Sequence, residues 1–440
     1  MYNNKDIWNV SYPILLALLA QNVINVTDTA FLGHVGEVEL GASAMGGLLY
    51  ICIFTIAFGF STGSQIMIAR RNGEGRFHEV GPIMMQGCLF LLMTSAILFG
   101  LCQWSMPVIV QALISSDNIY EASCEFLQWR MFGFFFSFIN VMFRALYVGI
   151  TRTKVLTINA IIMAIVNVLL DYALIFGHFG FPEMGLKGAA IASVMAEAAS
   201  FFFGIIYTWL YVDLKKYGLN RWPQWNSALL GRILSISCFT MIQHFISMST
   251  WFLFFMAVER LGERELAIAN IIRSIYIVLL IPVQALSTAT NTMVSNLIGA
   301  GGIGSVMLLM KKITKLSLIT VIICVAVISF FPEIFLSIYT NDAILSTESI
   351  PSLYVIGIAM LVAATANIYF NGISGTGNTQ AALWLETGTL IIYGIYVFCV
   401  GWWAQAPVSV CFTSEILYYV LLLVTSLIYL KKAKWENKKI

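Results

Sequence analysis

The chain has 440 residues, 59% of them hydrophobic and 10% charged, with a formal net charge of +2. Soluble domains run near half apolar and about a quarter charged, so a soluble fold is excluded, and a charge this close to neutral gives no reason to expect nucleic acid as a partner. Eight cysteines, mostly inside apolar runs, with no CxxC pair and only four histidines, point to neither a disulfide framework nor a zinc site.

Apolar runs long enough for a helix to cross a hydrocarbon layer of about 30 Å are predicted near 12–33, 44–69, 82–106, 126–150, 155–178, 185–211, 231–257, 266–292, 314–332, 351–371, 381–403 and 409–430. Continuous runs, rather than short alternating ones, predict an all-α polytopic membrane protein of about 12 transmembrane helices instead of a barrel. Only Lys5, and no small-residue cleavage site, suits a leader, so the first span is expected to be retained. The gaps near 107–125, 212–230 and 333–350 are too short for a soluble domain.

On the first span Gln21, Asn25 and Asp28 share one helical face. Asn167 and Asp171 do so on the fifth, and the sixth carries Ser193 and Glu197. Asp28 and Asp171 each lie about 16 residues into an outward-running span, so at about 1.5 Å per residue they share a depth. A charge near the bilayer centre costs about 3 kcal/mol on insertion scales. Two adjacent carboxylates cannot both stay ionised cheaply there, so the pair is expected to accept a proton or cage a hard cation, with Asn167 and Ser193 as oxygen ligands suited to Na⁺. The alternative is that each aspartate is satisfied by a helix–helix hydrogen bond, the reading given to Glu197 and Glu386 taken singly. Arg144 and Arg273 are the expected buried cations, the first paired with an acid in its own bundle.

The chain repeats. Val35-Gly36-Glu37-x-Glu39-Leu40 recurs as Leu261-Gly262-Glu263-x-Glu265-Leu266, and Ser61-Thr62…Met67…Gly73-x-Gly75 as Ser287-Thr288…Met293…Gly299-x-Gly301, both 226 residues apart. A third match, Gly149-Ile150-Thr151-x-Thr153 with Gly372-Ile373-Ser374-x-Thr376, has an offset of 223. Two six-helix bundles follow, 1–222 (N-terminal, with the cation-coupling site) and 223–440 (C-terminal), related by an axis along the membrane normal. The position matching Asp28 in the second copy is Thr250 or Phe254, depending on the anchor, so coupling is expected in the N-terminal bundle. Arg70, Arg71, Arg76, Arg152, Lys154, Lys215, Lys216, Arg221, Arg232, Lys311, Lys312 and Lys315 fall in gaps of one parity and only Lys187, Arg260 and Arg264 in the other. That asymmetry places both termini in the cytoplasm.

The first span, PILLALLAQNVINVTDTAFLGHVG, with NVLLDYALIFG in the fifth and the paired GxxxT turns after spans four and ten, resembles the multidrug and toxin extrusion (MATE) family over essentially the whole chain. The resemblance implies two six-helix bundles and efflux of drugs or metabolites driven by H⁺ or Na⁺ antiport. It makes Pro13 the bend of the first helix, Asp28 the essential carboxylate, and Asn167 and Asp171 the family's Asn-x-x-x-Asp. Ser193 becomes the small hydroxyl residue of the sixth helix, and Gln21 and Asn140 polar positions of the substrate cavity; Asn25, on the same stripe as Gln21, is a further expected cavity residue. No carboxylate stands in QHFISMSTWFLFF or YVIGIAMLVAATANIYF, so the chain looks similar to the DinF-like branch rather than the NorM type.

The expected protein is a cell-membrane antiporter of small organic compounds, often cationic or amphipathic. It is expected to act as a monomer in the lipid bilayer, not as an enzyme, and to need no cofactor beyond its coupling ion. A lipid-linked oligosaccharide flippase is the alternative, which would need cavity cations for a pyrophosphate. An intramembrane aspartyl enzyme using Asp28 and Asp171 is another. No GxxxxGK[ST] supports an ATP-driven pump.

Overall fold

The computed structural model describes residues 2–113, 116–220, 224–340 and 342–437. The expected bundle boundary at 222/223 and Arg221 lie outside the described residues. Twelve helices are long and apolar enough to cross a membrane: α1 (Asn4–Val35), α2 (Glu37–Gly73), α3 (Phe77–Ala112), α4 (Asp117–Gly149), α5 (Lys154–Ile175), α6 (Gly185–Tyr211), α7 (Ser227–Glu259), α8 (Glu263–Gly299), α9 (Ile303–Phe330), α10 (Ala343–Gly375), α11 (Thr379–Trp403) and α12 (Val408–Lys432). No strand occurs among the described residues. Each helix matches one predicted span, but several outrun it. The ninth begins at Ile303 rather than near 314, because hydropathy marks only the lipid-embedded stretch and misses helical turns such as those bearing Lys311 and Lys312.

Two compact units form, one of Leu16–Met241 and the other of Met1–Leu15 with Ile242–Ile440. Thus α1 leaves one unit for the other two residues beyond Pro13, and α7 does so after Met241. In Leu16–Met241, α4 is the most buried span and packs against α2, α3 and α6, while α5 lies along α6. In the other unit α10 holds the same place, against α8, α9 and α12.

The repeat is written in the backbone. α2 and α8 both run 37 residues. Each is followed by a left-handed glycine, Gly75 at φ 73° and Gly301 at φ 79°. Then comes a three-residue turn of 3-10 helix, Phe77–Glu79 or Ile303–Ser305. The third sequence match needs a correction. α4 ends at Gly149 and α10 at Gly375, followed by Thr151 at φ 59° and Gly377 at φ 90°, so the offset stays at 226 and the 223 register is one helical turn out. The similar Gly372-Ile373-Ser374 still lies inside α10. The helix ends are instead marked by close approach: a Cβ on Gly149 would lie 2.6 Å from Ile68 Cγ2, and one on Gly375 would overlap the Asn291 carbonyl oxygen.

Small residues also fix where α2 meets the first part of α7. A Cβ on Gly59 would sit 2.5 Å from Met241 Cα, and one on Gly63 2.5 Å from Ser237 Cα. With only hydrogens there, Thr240 Oγ1 donates to the Gly59 carbonyl at 2.6 Å and Ser237 Oγ to that of Phe60 at 3.1 Å. Lipid offers no hydrophobic drive for helix association, so such packing and hydrogen bonds hold the crossing.

Candidate ion-coupling site

Asp28 on α1 stands within hydrogen-bonding reach of Asp171 and Asn167, both on α5. Asn167 and Asp171 are 1% and 0% exposed, so neither is served by solvent. Yet Asp28 Oδ1, both oxygens of Asp171 and both amide heteroatoms of Asn167 are buried without an aligned hydrogen-bond partner. The two carboxyl groups lie within reach of each other, and the Asn167 amide beside them is not aligned to donate to either. A proton shared by the pair, or a hard cation held by their oxygens and the Asn167 carbonyl, would supply what is missing.

An ion pair adjoins this group. Arg130 at the start of the apolar part of α4 reaches Glu197 on α6 through Nη2–Oε1 at 2.6 Å and Nη1–Oε2 at 3.0 Å. Its guanidinium lies 3.6 Å over the Tyr50 ring, and the Tyr50 hydroxyl lies 2.9 Å from Ser137 Oγ and 3.1 Å from Glu197 Oε1. Asn140 Nδ2 donates to the Glu197 carbonyl at 2.8 Å. Arg130 is also within electrostatic reach of Asp28. The cluster therefore holds three carboxyl groups, Asp28, Asp171 and Glu197, against one guanidinium already engaged in a bidentate pair. An uncompensated buried charge costs several kcal/mol, and here three carboxyl groups share a single cationic side chain.

Of the residues singled out beforehand, Asp28, Asn167 and Asp171 come together. Ser193 is half-buried on α6, which lies along α5, but makes no hydrogen bond to Asp171. Gln21 and Asn25 are exposed on α1. Asn140 ties α4 to α6, and Pro13 is buried on the stretch of α1 that goes with the other unit. Glu197 is satisfied by hydrogen bonds, as read, but its partner is Arg130. Arg144 makes no ion pair among the described residues; it lies 5.0 Å over the Phe58 ring, as Arg273 does over Phe255.

Sequence reasoning passed over Arg130, Tyr50 and Ser137, and over Glu415 on α12. Glu415 accepts from Tyr276 at 2.9 Å and from Tyr393 at 3.0 Å, and Tyr276 pairs with Tyr419 at 2.6 Å. Arg130 and Glu415 each fall inside a predicted span, and a charge there is the signal that could have found them.

Comparison with known proteins agrees with the fold. The family model MatE matches residues 13–173 and 240–398. A probable multidrug resistance protein NorM of Thermotoga maritima is 24% identical over 99% of this chain and 94% of its own length. Among solved structures, an outward-facing multidrug resistance MATE family transporter of the MOP superfamily superposes with a TM-score of 0.90 at 16% identity, covering 99% of this chain and 97% of that one. The Vibrio cholerae MATE transporter VcmN gives 0.89 at 15% identity, over 99% and 98%. At those identities the structures speak for the fold alone, while the family model spans both halves of the repeat. The chain belongs to the MatE family of membrane transporters and is not an enzyme.

Proposed function

We propose that this chain is a cation-coupled antiporter that exports small organic compounds, often cationic or amphipathic, from the cytoplasm by alternating access. The multidrug-resistance names of its relatives support the export reading. The observation that carries the coupling is the buried Asp28–Asp171 pair, whose buried oxygens lack an aligned donor, beside an arginine already committed to Glu197. H⁺ or Na⁺ entering from outside neutralises the pair, with Asn167, and Ser193 after a small shift of α6, as further oxygen ligands. Entry down a membrane potential adds about 2.3 kcal/mol per charge per 100 mV.

The response to loading is assigned to α1, which carries Asp28 in one unit and Pro13 in the other. Pro13 removes one helical hydrogen bond, so bending there is cheap. Movement of α1 displaces Gln21 and Asn25, which with Asn140 offer polar contacts to substrate. Positive charge in gaps of one parity supports a cell-membrane protein with both termini cytoplasmic; the protein acts as a monomer. A pyrophosphate-binding flippase is less favoured, because Arg130 is paired and Arg144 and Arg273 lie against rings.

The test is efflux of cationic dyes from an efflux-deficient host expressing Asp28→Asn, with membrane levels checked by immunoblot. Efflux is expected to fall to the background of the host. Undiminished efflux at normal protein level would remove Asp28 from the coupling step.

A further inference from the structure

The unit containing Ile242–Ile440 has its own buried acids. Glu386 on α11 is 5% exposed and Glu415 on α12 is 6% exposed. These helices are the repeat counterparts of α5 and α6, which carry Asp171 and Glu197. The two copies differ in one respect that decides their chemistry. Glu197 has an arginine, whereas among the described residues no partner of Glu386 or Glu415 is cationic.

Glu415 is nonetheless fully served with donors. Each of its oxygens accepts from a tyrosine hydroxyl, Tyr276 on α8 and Tyr393 on α11, and Tyr419 supports Tyr276 in turn. Glu386 is half-served. Its Oε1 accepts from Ser247 Oγ on α7 and from the Tyr418 hydroxyl on α12 at 3.2 Å, while its Oε2 is buried with no partner. Gln243 on α7 lies within hydrogen-bonding reach of Glu386, and its own Oε1 is also buried and unpartnered. Each of these two oxygens is buried without an aligned donor.

We propose that Glu386 is a second proton-exchange site, loaded and emptied independently of the Asp28–Asp171 pair, with the Gln243 amide as its sensor. In the loaded form the proton sits on Glu386 Oε2 and is donated to Gln243 Oε1. When the proton leaves, the amide turns so that its Nε2–H₂ donates to the Glu386 carboxylate instead. Each protonation state then has a satisfied partner, and only the side-chain torsion of Gln243 distinguishes them. Gln243 is the second residue of α7 beyond its passage from one unit to the other, so the exchange acts where that helix changes unit.

The groups that set this equilibrium are few. α12 presents Tyr418, with Glu415 and Tyr419 acting on the same hydroxyl; α7 presents the uncharged Ser247 and Gln243; and α10 reaches the cluster through Asn367 against Tyr419. Both oxygens of Glu415 already have a hydroxyl donor, whereas Glu386 Oε2 has none, so Glu386 is the carboxyl whose hydrogen bonding a proton would complete.

The experiment uses the full chain in lipid nanodiscs and reads the carboxylic-acid C=O stretch by infrared difference spectroscopy as pH is stepped. In an Asp28→Asn/Asp171→Asn background a pH-dependent carboxylic-acid band is expected to persist, and adding Glu386→Gln is expected to abolish it. Gln243→Leu, which leaves Glu386 in place, is expected to shift the pH midpoint of that band. A silent spectrum in the double-aspartate background, or a band unmoved by both Glu386→Gln and Gln243→Leu, would overturn the proposal. Since both aspartates are absent there, the outcome is independent of whether they couple transport.

Discussion

Neutralising Glu197 alone should be among the most damaging single changes in the Leu16–Met241 unit. Its carboxylate meets Arg130 at 2.6 and 3.0 Å, and the two side chains are only 12% and 13% exposed, so solvent screens them little. At about 3 Å and an effective dielectric near 20 the gross attraction is about 5 kcal/mol. Removing one partner strands the other charge and costs about 3–5 kcal/mol, whereas replacing both with apolar side chains of similar volume is close to neutral. Glu197→Leu and Arg130→Met should therefore each destabilise by that amount, and the Glu197→Leu/Arg130→Met double variant by much less than their sum. Equilibrium unfolding in mixed detergent–SDS micelles measures all of them as a mutant cycle. Freed from Glu197, Arg130 is also expected to turn to Asp28 and hold it ionised, so Glu197→Gln should lose gradient-driven transport at normal membrane level. Single-variant costs below about 1 kcal/mol, or strict additivity in the double variant, would refute this reasoning.

The close crossing of α2 and α7 makes two further outcomes specific. Gly63→Leu has no room beside Ser237 and should lower the melting temperature of the detergent-solubilised protein by several degrees, while Gly47→Leu on the same helix, where a Cβ meets nothing within 4 Å, should leave it unchanged. The turns after α4 and α10 supply another pair. Thr151 holds φ 59° where its repeat counterpart is Gly377 at φ 90°. A left-handed conformation costs a non-glycine residue about 1–2 kcal/mol, so Gly377→Thr should destabilise by about that much and Thr151→Gly should be neutral or stabilising; thermal unfolding in one detergent checks both.

Most of the architecture was legible because lipid forces one answer: a run of apolar residues of membrane length has to be a helix. The duplication was equally plain where a glycine is required by the backbone, as at Gly75 and Gly301. It misled where similarity was only chemical, since Gly372-Ile373-Ser374 imitates Gly149-Ile150-Thr151 one turn before α10 actually ends. At the site, Asp28, Asn167 and Asp171 were readable from depth and helical spacing. Arg130 was not, because it stands near the beginning of its predicted span, where a cation passes for a loop residue, and its partner Glu197 is 67 residues away. Glu415 was hidden in the same way near the start of α12, and nothing in sequence says that tyrosines from α8 and α11 converge on it.

The central claim is that charge uptake at Asp28 and Asp171 drives export. It is tested most directly in proteoliposomes loaded with a cationic dye, with proton and sodium gradients imposed separately on wild type, Asp28→Asn and Asp171→Asn. Wild type should move the dye against its gradient under at least one of the two ions, and both variants should move it under neither. Gradient-driven movement by either variant at the wild-type rate would contradict the assignment.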